Sequence, residues 1–186
     1  MRKLIIWLGV WLVFSTSVLT FLVRDNMLQL TAVKMLWCLI IFWVFVCGSL
    51  IYLFRNLFWK YYLKISWPFS IRFTVFATIF FLIEEFMAVS INNYFYPVTK
   101  GVVMLTASTN YWEVVSQHSV VIFIPILIIF SLFIKFFKLN PQKSFLYFGI
   151  IGTLAEISIG GVMSLLEFAM WIFVYGLMVY LPSRVD

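Results

Sequence analysis

Charge is scarce in this chain: Asp, Glu, Lys and Arg make up only 11% of its 186 residues. Soluble domains carry about 25%. With 65% hydrophobic and 21% aromatic residues and a mean hydropathy of +1.08, the composition belongs in lipid rather than in water. A single histidine, His118, excludes haem ligation by paired histidines and any metal cluster built on several of them. The two cysteines, Cys38 and Cys47, fall in one expected helix, on opposite faces and about 13 Å apart along its axis. They cannot bridge each other and are expected to be small buried hydrophobes. Missing too are a phosphate-binding glycine loop, an HExxH metal motif, a GxSxG elbow, a low-complexity tract and a flexible linker. No catalytic residue, cofactor or metal is therefore expected.

What is present is apolar length. A transmembrane helix needs about 20 mainly apolar residues. Windows of that kind cover 4–23, 35–54, 72–92, 119–137, 144–159 and 162–181. The expected fold is an all-α integral membrane protein, a polytopic bundle of about six transmembrane helices forming one membrane domain over 1–186, with five spans as the alternative. The apolar run after Met1-Arg2-Lys3 ends in Thr20-Phe21-Leu22-Val23 and not in a small-residue cleavage site, so it is expected to stay as the first span. Residues 144–181 contain no charged break beyond Glu156 and Glu167, and a turn is expected at Gly160-Gly161.

The basic residues support this count. With six spans and the N-terminus inside, Arg2, Lys3, Arg55, Lys60, Lys64, Arg72, Lys135, Lys138, Lys143 and Arg184 share one side, while Arg24, Lys34 and Lys100 lie opposite. Both termini are then cytoplasmic, and 93–118 is an external loop rich in Tyr, Thr, Ser and Asn. The net charge of +6 is accounted for by topology, and nucleic acid is not an expected partner.

Carboxylates inside such a chain need a reason. An ionised side chain near mid-bilayer costs several kcal/mol, so it usually faces a bundle interior or a wet cavity. Glu84 and Glu85 are adjacent in an otherwise apolar segment, and Glu156 and Glu167 lie in the apolar C-terminal stretch. Thr74, Thr78, Glu85 and Asn92 recur at helical spacing and fall within a stripe of roughly 40° at about 100° per residue. Glu85 is expected to point into the bundle, with Glu84 about 100° away toward a neighbouring helix or water. Thr153 and Ser164, each three residues before a glutamate, supply candidate hydroxyl partners for Glu156 and Glu167. Glu84, Glu85, Asn92, Glu156 and Glu167 form the candidate intramembrane polar site, suited to a proton acceptor, a cation site or an acid catalyst. The alternative is that they hydrogen-bond between helices and fix packing.

The segment from Arg55 to Lys64 mixes bases with aromatic rings, as expected at the headgroup level, and Arg55, Lys60 and Lys64 are the candidate contacts to anionic lipid or an acidic partner. Leu82-Ile83-Glu84 recurs as Leu165-Leu166-Glu167, a short echo of the inverted repeats of transporters. The Glu84-Glu85 pair is similar to the glutamate motif of CAAX-type intramembrane proteases. Val89, however, stands where that family has arginine, and the further histidines are missing. Ile83-Glu84-Glu85-Phe86 also resembles the acidic motif of membrane lycopene cyclase domains, without the preceding proline and with only Glu167-Phe168 in the second half.

The leading expectation is a non-enzymatic membrane protein acting as an oligomer or as the membrane subunit of a larger complex, in sensing, anchoring, immunity or defence. Its partners would be membrane lipids and a second copy or another protein subunit. A small channel or transporter using the intramembrane carboxylates is the second expectation. An intramembrane enzyme acting on a lipid or isoprenoid is the third. The use of Phe, Ile and Lys suits a bacterial inner membrane.

Overall fold

The computed structural model describes residues 1–160 and 166–185, and these are helical throughout apart from short connections, with no strand among them. The helices are α1 (Arg2–Leu22), α2 (Met27–Tyr62), α3 (Phe69–Thr99), α4 (Tyr111–Phe137), α5 (Pro141–Gly160) and α6 (Phe168–Tyr180). Four of them, α1 to α4, are long and apolar enough to cross a membrane, and point to a membrane protein. Of the others, α6 is a shorter apolar helix of 13 residues. Residue 161 of the expected glycine turn, and 162–165 of the expected last span, lie outside the described residues; Gly160 is the last residue of α5.

Local chemistry sets the helix ends. The Asn26 side chain caps α2 by accepting from the Gln29 N–H at 3.1 Å, and Asn110 caps α4 by accepting from Trp112 at 3.1 Å. Lys100 and Lys138 end α3 and α4 in left-handed conformations, with φ of 48° and 49°. These signals carry the helices past the apolar windows. Because α3 continues to Thr99 and α4 begins at Tyr111, the connection expected over 93–118 contracts to 100–110. Hydropathy registers how much of a helix lipid tolerates, whereas backbone hydrogen bonding continues until a cap intervenes. The 36 residues of α2 span roughly 54 Å, well beyond about 30 Å of hydrocarbon, so the basic aromatic segment is largely its last turns.

Two long helices contain a π-helical stretch, Ile40–Cys47 in α2 and Val115–Phe123 in α4. An extra residue per turn re-aims side chains, and such stretches are frequent at functional sites. In α2 the stretch holds buried Trp43, whose indole N–H donates to the Val174 carbonyl of α6 at 3.1 Å. In α4 it faces the cavity described below.

The core surrounds α3, where Phe73 and Ala77 are completely buried with Leu39, Ile40, Leu127 and Phe130 around them. The closest approach is between α5 and α6. A Cβ added to Gly149 would lie 2.6 Å from the Ile172 carbonyl oxygen, and one on Gly176 would lie 2.7 Å from that of Phe145. Small residues let backbones touch where hydrophobic driving force between helices is weak. At one end of the bundle the C-terminal residues pack onto α2: Trp59 donates to the Leu181 carbonyl at 3.0 Å, and Tyr62 to that of Pro182 at 2.6 Å. Arg184 lies over the Trp59 ring and buried Arg72 over the Tyr62 ring. This is the tail end; the end carrying 100–110 is the loop end.

Candidate functional site

Glu84 and Glu85, on α3, are 6% and 8% exposed, and both line a cavity of about 280 Å³ bounded by α2 to α6 and the 100–110 connection. Glu156, half-buried on α5, lines the same cavity, with Thr106, Ser119, Trp171 and Tyr175 as its other polar members. The rest of the wall is apolar, including Leu39, Phe81, Ile126 and Val174. Three carboxyl groups from two helices thus converge in a compartment otherwise suited to lipid or hydrocarbon.

Two of them share the cavity with hydroxyl side chains from other helices. Ser119, presented by the π-helical stretch of α4, lines the cavity together with Glu85. The Tyr175 hydroxyl, from α6, donates to Glu156 Oε1. Gly152 makes room for that tyrosine, because a Cβ there would overlap the Tyr175 ring. The hydroxyl of Thr153, the expected partner of Glu156, donates instead to the Gly149 carbonyl of its own helix at 2.8 Å. A threonine inside a helix has a carbonyl four residues back within reach, so it satisfies itself before reaching a carboxyl. Ser164, the other expected partner, lies outside the described residues. Glu167, which precedes α6, is close enough to Glu156 for their charges to interact but does not line the cavity.

Asn92 is 1% exposed on the same stripe of α3, yet it does not line the cavity. Its Oδ1 accepts from the Leu105 N–H at 2.7 Å and its Nδ2 donates to the Thr106 hydroxyl. Asn93 donates to the Thr109 carbonyl at 3.1 Å, and Tyr111 to that of Leu82 at 3.2 Å. These bonds strap the connection across the loop end of the cavity, with Thr106 inside it. On the opposite side of Glu85 the stripe continues through Thr78 and Thr74, whose buried hydroxyl oxygens have no hydrogen-bond partner among the described residues. The polar face therefore runs from the strapped loop through the carboxylates toward the tail end.

The candidate basic contacts are distributed differently. Arg55 lies over the Tyr52 ring at 3.9 Å, and exposed Lys60 and Lys64 flank Tyr61. All three are near the tail end, remote in sequence from every residue of the carboxylate cavity.

Ser119, Tyr175 and Thr106 are site residues that spacing arguments on α3 alone did not single out. A hydroxyl in each of three other segments carries no periodic signal, and only the packing of α4, α6 and the connection against α3 brings them together. Among the described residues no three His, Cys, Asp or Glu side chains are grouped to hold one metal ion. What the arrangement does offer is several proton-accepting oxygens, a hydroxyl bonded to one of them, and an apolar wall that strengthens every electrostatic interaction inside.

No protein-family model matches the chain, and comparison with curated proteins and with solved structures finds no significant similarity. The class defined by the fold is thus an all-helical bundle with four helices able to cross a membrane, and the site within it is an acidic cavity.

Proposed function

We propose that this chain is a small membrane transport protein that passes protons through the cavity of Glu84, Glu85 and Glu156. The observation that carries the proposal is the convergence of these carboxyl groups, from α3 and α5, on one compartment, continued along α3 by the buried hydroxyls of Thr78 and Thr74. Intramembrane carboxylates facing a bundle interior are the usual components of proton relays. A hydroxyl bonded to a carboxyl, as Tyr175 is to Glu156, supports such a relay. In this reading protons enter under the strapped 100–110 connection, exchange among the carboxyls, and leave toward the tail end.

In this reading the tail end faces the cytoplasm with both termini, in a bacterial inner membrane; the Arg55, Lys60, Lys64 and Arg72 it carries support that orientation. Assembly into an oligomer or with another subunit is compatible with this role and extends it. The test is reconstitution of the full chain into liposomes enclosing a pH-sensitive dye, with an imposed pH gradient and an ionophore to balance charge. Dissipation of the gradient clearly faster than in protein-free liposomes is expected. Equal rates across a range of protein densities would refute proton transport.

A further inference from the structure

A second, larger hollow of about 570 Å³ lies near the tail end, between α1, α2, α5 and α6, and no part of it belongs to the carboxylate cavity. Its walls are apolar for most of their length, with Leu12, Val44 and Leu177 among them, and small residues, Gly9 and Gly48, deepen it. Polar groups gather where it meets the tail end: Tyr52, Gln142 and Tyr180. Half-buried Arg55 sits over the Tyr52 ring and is close enough to Tyr180 for its charge to act on that hydroxyl. Lys143 follows Gln142, and Lys3 stands one turn before Ile6 of the wall. Among the described residues no carboxylate lines the hollow.

An apolar groove with Arg55 at its polar end is complementary to an anionic amphiphile. We propose that this groove binds an anionic phospholipid, one acyl chain lying along α1, α2 and α6 and the phosphate held at Arg55, Tyr52 and Tyr180. The volume falls in the range of small-molecule sites, roughly 300–1,000 Å³. Basic pockets between transmembrane helices are a recurrent way of holding anionic headgroups. Arg55 suits the task because its planar fork makes two parallel bonds to phosphate oxygens and its stacking on Tyr52 fixes its direction. This site is independent of proton transport, and neither proposal depends on the other.

The test uses the purified, delipidated full chain in an uncharged detergent and measures binding of dioleoyl phosphatidylglycerol and dioleoyl phosphatidylcholine by native mass spectrometry. Wild type is expected to prefer phosphatidylglycerol. Arg55→Gln lowers that preference about fivefold, the equivalent of about 1 kcal/mol for one basic residue at a membrane surface, and Arg55→Lys restores part of it. Gly9→Leu fills the groove, where a Cβ meets only the Phe173 ring at 3.8 Å, and is expected to weaken both lipids. Equal affinity of wild type for the two lipids would overturn the proposal. So would an unchanged preference in Arg55→Gln, or unchanged binding in a folded Gly9→Leu.

Discussion

In liposomes matched for protein density, Glu85→Gln is expected to pass protons about tenfold more slowly than wild type, or slower still. The substitution keeps the shape of the side chain and an accepting oxygen, so the bundle has no reason to rearrange. What it removes is the oxygen that takes up a proton. The loss of one interaction involving a charged group is worth roughly 1.5–3 kcal/mol, and about 1.4 kcal/mol is a factor of ten. Thr78→Val, which removes a hydroxyl further along the same face, is expected to slow transport less, and Thr78→Ser to leave it near wild type. Glu85→Gln conducting as well as wild type would mean that the carboxyl fixes packing and carries no protons.

The largest expected effect on stability is at the α5–α6 contact. Gly149→Ala would place a methyl group 2.6 Å from the Ile172 carbonyl oxygen and 2.8 Å from its Cα, both backbone atoms that cannot rotate away. Overpacking of this kind costs about 1–3 kcal/mol, more than the gain of up to about 1 kcal/mol that alanine brings to a helix interior. A lower thermal midpoint in detergent, followed by tryptophan fluorescence, is therefore expected. Gly9→Ala is the matched comparison: its new methyl meets only the Phe173 ring at 3.8 Å, so its midpoint should equal or exceed that of wild type. Equal midpoints for the two variants would show that α5 and α6 are not held backbone to backbone. The effect reaches the site, because the same pair of helices seats Tyr175 beside Gly152 and brings its hydroxyl to Glu156.

The helical, membrane-type character of the chain was legible from apolar length alone, because each window exceeds what a soluble helix leaves unburied. The burial of Glu84 and Glu85 was legible for a related reason, since two acids within an apolar run have nowhere else to go. Glu84 proves as enclosed as Glu85, since α2, α4 and α6 together surround more of α3 than one stripe. Asn92 shares that stripe, but position along the axis takes it beyond the carboxylates to the connection it straps, and angular periodicity says nothing about height. Both π-helical stretches went unforeseen because they follow from tertiary packing and leave no composition signal. Gly149, Gly152 and Gly176 were present in the pattern of small residues, yet their role depends on which helix faces which.

Central to this account is that Glu84, Glu85 and Glu156 occupy one compartment and act on one another. Infrared difference spectroscopy of the carboxyl stretching bands, recorded between acidic and alkaline buffer for wild type and for each single Glu→Gln variant, tests this most directly. If the cavity is shared, removing any one carboxyl shifts the bands and midpoints of the other two, because groups that interact titrate as a set. Three signals that vanish one at a time, each leaving the others unmoved, would contradict it.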